Sequence, residues 1–180
     1  MTTPTDAGWS DAAIREVRRL WADQLHPVDP GQPYPGLSPR TREFLTTVGL
    51  PVFEPTMGNG TILDLLSRPV SRNGTEYVVV GEGVGMDLRH AIEVGSDRVY
   101  FISPPGFDHL PEFENGNVAL FVLFLGVFEK DLGDGLGSVE QGSDEAYEII
   151  GRARDLLTSM DPEAMREGSL WESQLSEYEY

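Results

Sequence analysis

The residues of this chain that could do chemistry are three histidines, glycine-rich stretches and several groups of carboxylates. His26, His90 and His109 are far apart, and none has a His or carboxylate partner at i+4, as a metal site on a helix would need. Ser, His and Asp all occur, but no spacing supports a nucleophilic triad. Gly81-Glu-Gly-Val-Gly85 follows an apolar run and invites a phosphate-loop reading. Its spacing is G-x-G-x-G rather than G-x-G-x-x-G, and no Lys-Ser or Lys-Thr follows. It reads as a flexible strand connector. Asp131, Gly133, Asp134 and Gly135 resemble a calcium loop superficially, but the alternating ligands and the late Glu are missing. A solvated helix exit through a flexible Gly133–Gly137 loop accounts for them better. Asp108, Glu112 and Glu114 cluster ahead of the longest apolar run. Paired carboxylates can exchange protons, but no cofactor loop stands beside them in the sequence. They read as a solvated rim or as a surface that meets a partner. No catalytic residue, metal site or cofactor is expected.

The elements that would position these groups are organised around Val118–Phe128, in which every residue is apolar or glycine. The run is too short to span a bilayer, which takes about 20 residues. Its length and its Leu content favour a helix buried on nearly all sides, with Asn115 or Asn117 as N-cap. A buried strand is the competing reading, because Val and Phe are frequent there.

Ahead of it, Ser10 can cap a helix from Asp11 to about Leu25, with Ile14, Val17, Leu20, Trp21 and Leu25 as its apolar stripe. Arg15, Arg18 and Arg19 lie mostly off that stripe. The Pro-rich segment 26–37 is an extended connector. Ser38-Pro39 starts a second helix that ends at Gly49, a natural left-handed stop. Strands follow: Thr61–Leu66, Glu76–Val80, and a hairpin of Leu88–Val94 with Arg98–Ile102 about Gly95-Ser96-Asp97. Asn59-Gly60 and Asn73-Gly74 are turns between them. Both also begin glycosylation patterns, but with no secretory signal they read as turns only. Beyond the apolar run, Ser143 caps a helix to about Met160. Asp161-Pro162 opens a short helical turn, and Leu170, Trp171 and Leu175 mark a last docked helix. Strands grouped beside helices predict an α+β fold with a central, mostly antiparallel sheet flanked by helices.

One domain is expected over residues 1–180, with 1–10 a flexible lead-in and 176–180 a frayed tail. A chain of this size can bury roughly 70% of its unfolded surface, so a core is possible without staples. It has no cysteine, so disulfides and thiolate chemistry are excluded. The amino terminus carries neither a basic nor an apolar leader region, so a cytoplasmic protein that spans no membrane is expected. The formal net charge of −17 would repel phosphate backbones, which argues against nucleic-acid binding and leaves two readings: solubility, or steering towards a basic partner. Residues 129–180 carry 14 acidic and 4 basic side chains, a net of −10.

The chain resembles a known family on three pieces: Arg42-Glu-Phe-Leu-Thr-Thr-Val-Gly-Leu-Pro51; Tyr77-Val-Val-Val-Gly81 through Val99-Tyr-Phe-Ile102 to Phe113-Glu-Asn-Gly-Asn-Val-Ala-Leu-Phe121; and Asp161-Pro-Glu-Ala-Met165 with Trp171 and the Leu-Ser-Glu end. Their order over residues 40–180 is similar to the SUKH superfamily, the Smi1/Knr4 group, and within it to the SUKH-4 immunity proteins. Gly116-Asn117 stands where that family usually has a Ser pair. The resemblance implies an α+β fold, no enzymatic activity, and binding of a cognate toxin domain, often a nuclease or deaminase and frequently basic. Occlusion by an acidic surface is the expected mechanism, with Asp108, Glu112, Glu114, Asp131 and Asp134 as its candidates. The alternatives are a general interaction scaffold of the Smi1/Knr4 kind without a toxin target, and a small-molecule binder or enzyme using the loop at 81–85.

Overall fold

The computed structural model describes residues 10–52, 61–63, 68–83, 89–103 and 111–179. Asp108, His109, the Asn59-Gly60 turn and the second half of the expected Thr61–Leu66 strand lie outside them. The first helix, α1 (Asp11–Trp21), starts as its sequence predicts, with the Ser10 hydroxyl accepting from the Ala13 N–H. It stops short of Leu25. Ala22 sits in the left-handed region at φ 44° and turns the chain, and Leu25–His26 (β1) pairs antiparallel with Leu50–Pro51 (β2) instead. Between them α2 (Pro39–Thr47) begins at the Ser38 cap. Gly49 ends it at φ +91°, and a Cβ there would lie 2.1 Å from the His26 carbonyl oxygen. The left-handed turn and the close approach of β1 both require glycine.

The main sheet has six strands: β3 (Thr61–Leu63), β4 (Val70–Arg72), β5 (Thr75–Gly83), β6 (Arg89–Glu93), β7 (Val99–Ile102) and β8 (Glu112–Asn115). All the pairings are antiparallel, and β3 and β4 share one side of β5, pairing with its two ends. Two turns match their residues closely. Asn73 and Gly74 both have positive φ, which suits a two-residue hairpin whose twist follows the strands. At the β6–β7 turn the Asp97 carboxylate accepts from the Ser38 N–H and the Thr41 hydroxyl, tying the hairpin to the start of α2. The strands bury both faces. Val78, Val80, Ile92 and Val99 join the main core, while Tyr77, Val79, Ala91 and Ile102 form a second cluster. Gly81–Gly83 is not a connector: it lies inside β5, paired on both sides, next to a bulge between Val79 and Gly81.

The apolar run is a helix, α3 (Val118–Gly126). All its residues except Leu120 are buried, because the sheet, α1 and the later helices surround it. Asn117 caps it, accepting from the Ala119 and Leu120 N–H groups at 3.1 Å. Where α1 crosses, a Cβ on Gly126 would stand 2.8 Å from Trp21 Nε1, so glycine permits the contact. The Trp21 indole donates to the Val122 carbonyl at 2.9 Å. The helix then widens into a π-type segment, Val127–Leu132, and runs straight into α4 (Gly133–Leu136). The expected flexible loop at 133–137 is therefore mostly helix. Its glycines are tolerated because α4 packs on α5 (Asp144–Met160), with Gly135 facing Ile149; tertiary contact overrides their poor helix propensity. Ser143 caps α5 and Ser169 caps α6 (Leu170–Ser176).

Candidate functional site

The polar groups nearest the amino end of α3 come from β8, which the sequence does not announce. Its run Glu112-Phe-Glu-Asn115 carries one apolar residue, and its buried positions are polar. Each has a partner. Glu114 is 0% exposed, and both its oxygens lie 2.9 Å from Nδ1 of His90, itself 5% exposed. The His90 ring packs against Phe101 and Phe121. Asn115 uses both ends of its amide: its oxygen accepts from Trp171 Nε1 at 3.0 Å and its nitrogen donates to Asp161 at 3.3 Å. The same Asp161 carboxylate accepts from the Gly116 N–H at 2.8 Å and the Ala164 N–H at 3.3 Å.

Burial pushes the Asp161 carboxyl above its ordinary range; the hydrogen bonds from Gly116, Asn115 and Ala164 pull the other way without cancelling it. Trp171 is wedged beside Phe121, Phe124 and Phe128. Asn115, Gly116, Asn117, Asp161 and Trp171, widely spaced in sequence, therefore form one joint that locks the last strand and the last helix to the start of α3. Such a network has donors and acceptors matched internally. The side chains of Asn115, Asp161 and Trp171 are buried, and the network fixes the fold.

Beyond the other end of α3, Glu129 is buried in the π-type segment, and the carboxylates further along face outwards. Asp134 is exposed on α4, and α5 carries Asp144, Glu145, Glu148 and Asp155 on its exposed side. Between the two ends α3 and its continuation rise roughly 20 Å at 1.5 Å per residue, so Glu112 and Asp134 do not make one patch.

The predicted surface residues fare differently. Glu112 is exposed on the edge strand. Glu114 is wholly buried against His90, so it is not a surface residue and leaves the candidate set; strand alternation would give it the same face as exposed Glu112, and the register shift between β7 and β8 at Glu114 breaks that alternation. Asp131 is held by Arg19 in a bidentate pair at 3.2 and 2.7 Å, and the two carboxylates of Asp131 and Glu16 raise the Arg19 pKa through their hydrogen bonds. It is half-exposed and already neutralised. Asp134 remains open to solvent. The expected Asn115-or-Asn117 cap resolves to Asn117.

Among the described residues no group of three or more His, Cys, Asp or Glu side chains could hold a metal ion, and no helix is long and apolar enough to cross a membrane. Glu82 pairs with Arg89 across β5 and β6 at 3.0 Å, so the described part of the glycine stretch is sheet with a surface ion pair.

An antiparallel sheet packed on a buried helix, with further helices around it, defines an α+β fold. The chain matches the SUKH-4 immunity protein family over residues 33–177, and it belongs to that family. The match spans the joint from Asn115 to Trp171 and all six strands of the main sheet. No curated protein and no solved structure matches the chain.

Proposed function

We propose that this chain is a bacterial immunity protein that works in the cytoplasm, binding a cognate toxin domain of the nuclease or deaminase type and blocking it by occlusion. Membership of the SUKH-4 immunity family carries the reading. The net charge of −17 supports a basic partner: nuclease and deaminase domains must attract phosphate, and an acidic protein can cover the same groove. Long-range attraction would speed the encounter and make it sensitive to salt.

The surface proposed for contact uses Asp134 from the sequence-derived set, with Asp131 a weaker contributor because Arg19 already occupies it; Glu112, at the opposite end of α3, lies outside that surface. No catalytic group of the chain takes part in this mechanism; inhibition requires only that the toxin's substrate cannot enter.

The neighbouring reading frame is expected to encode a protein that ends in a toxin domain, and the test is co-expression with that domain. Cells carrying both should grow, and the two proteins should co-purify at low ionic strength. The complex should weaken steeply between about 50 and 500 mM salt, as the Debye length contracts from about 14 to 4 Å. Failure of rescue together with failure to form a complex at low salt would sink the proposal.

A further inference from the structure

The exposed side of α5 combines features that the fold itself does not explain. Tyr147 is 51% exposed. With Val52, it is one of the large hydrophobic side chains left open among the described residues, and Val52 borders residues outside them. Asp144 lies three positions before Tyr147 and Gly151 four after it, and Glu148 stands four after Asp144 and three before Gly151, so all share adjoining ground of one helical face. Asp155 continues that face one turn on. Arg152, beside Glu148 at 3.8 Å, is the cation among these exposed α5 residues.

Gly151 is the informative member. A Cβ placed there would meet nothing within 4 Å, unlike Gly126 and Gly49, where a neighbour demands glycine. The middle of a helix is an unfavourable place for this residue, since glycine weakens helices relative to alanine. Nothing inside the protein benefits from the missing side chain. What it leaves is open helix surface next to Tyr147, Glu148 and Asp155, with Arg154, three positions on, held by Glu179 and Glu172.

We infer that this face of α5 is the centre of the partner-binding surface, and that it receives a basic protein side chain, Arg or Lys, laid across the Tyr147 ring and lodged over Gly151. This rests on the proposed immunity function. The occupant follows from charge: Asp144, Glu145, Glu148 and Asp155 outnumber Arg152 on the exposed side of the helix, within a segment of net −10. A cation over a tyrosine face gains from the ring quadrupole, and Tyr and Arg are the residues most often found at energetic centres of interfaces. The neighbouring α4 brings Asp134 to the same end of the molecule, so the sequence-derived candidate and the α5 face can belong to one surface.

The experiment measures binding of the purified toxin domain from the adjacent reading frame to the full chain and its variants, by calorimetry at low salt. Tyr147→Ala and Gly151→Leu should each weaken binding about tenfold or more, with unchanged circular dichroism and melting within a few degrees. Glu43→Gln, an equal loss of charge on exposed α2, should change affinity by less than about threefold, whereas Glu148→Gln should exceed it. Gly151→Ala, which adds only a methyl group, guards against misfolding of the leucine variant and should weaken binding measurably while the protein stays at least as stable. If the wild-type chain binds the toxin and Tyr147→Ala and Gly151→Leu bind equally well, the α5 assignment is wrong and the immunity function stands. If the wild-type chain does not bind, both fall. If the wild-type chain dimerises and Tyr147→Ala is monomeric, the face serves a second copy of this chain and the basic-partner assignment is overturned.

Discussion

The two ends of the buried helix use carboxylates in opposite ways. At the amino end, Glu114 and Asp161 are buried, and their oxygens meet His90 or backbone and side-chain donors. Beyond the carboxyl end, once the chain is past the buried Glu129, Asp134, Asp144, Glu148 and Asp155 stand in solvent. A buried carboxylate is retained when the groups around it need an acceptor, because leaving any of them unmatched costs more than the bond gains. An exposed one contributes little to stability and is free to act on a partner. Acidity in this chain thus has two meanings, and only burial separates them. Substitutions at the amino end should change unfolding and leave association intact; those on α5 should do the reverse.

The strongest way to break that division is Asp161→Ala. It removes the acceptor for Gly116 N–H, Asn115 Nδ2 and Ala164 N–H together. Losing a cap and stranding buried donors should cost about 3 kcal/mol, read as a lower urea midpoint with an unchanged slope. A midpoint equal to wild type would mean that the Asn115–Asp161–Trp171 joint does not hold the fold. A second cut falls between the two ends. Gly126→Ala pushes a methyl group against Trp21 Nε1 and Leu20, and overpacking of this kind should cost about 2 kcal/mol. Retained stability there would show that α1 can slide on α3 without loss.

Most of the framework was legible before the structure. The Ser10, Ser38, Ser143 and Asn117 caps, the Gly49 stop and the buried run all rest on local rules, and each element formed where its own residues favour it. What was not legible depends on distant partners. β8 has no apolar alternation, because Glu114 and Asn115 take the buried positions that an apolar residue would signal; His90 and Trp171, far along the chain, make those polar residues acceptable. The glycines at 133–135 read as a loop because the helix they extend packs on α5. Leu25 completes the apolar stripe of α1, yet pairing with Pro51 draws it into a strand. For the candidate surface, the acidic segments were visible, but exposure was not: Glu112 and Glu114 differ by two positions and lie on opposite sides of the burial boundary. Tyr147 and Gly151 passed as ordinary members of α5, since neither residue type signals its exposure.

Acid titration sharpens the amino-end reading with a smaller effect. Burial raises the Asp161 carboxyl above its ordinary 3.8. The folded state therefore holds this proton more tightly than the unfolded chain does. In the window from about that ordinary value up through the raised one, the folded state binds more protons, so this group's contribution to stability falls as pH rises. Asp161→Asn keeps the side chain's size but removes the titration. The stability of wild type minus that of Asp161→Asn should therefore be larger near pH 4 than at neutral pH, with the background of other carboxylates cancelling in the difference. A difference independent of pH would mean that the Asp161 environment does not favour its protonated form.

The smallest effect tests the opposite end, and it has the opposite sign. Gly151 lies within α5 with open space where its side chain would be. If the fold alone chose this residue, alanine would have a hidden cost. With no neighbour within 4 Å to object, Gly151→Ala should instead stabilise the chain by about 0.5–1 kcal/mol, from helix propensity and from the reduced freedom of the unfolded state. The contrast with Gly126, in a helix of similar regularity but under Trp21, makes the reading specific: the same substitution is expected to destabilise one helix and stabilise the other. Thermal melts of the two variants side by side would decide it. A Gly151→Ala protein that melts below wild type would show that the fold needs this glycine after all, and the open surface beside Tyr147 would lose its meaning as ground kept clear for a partner.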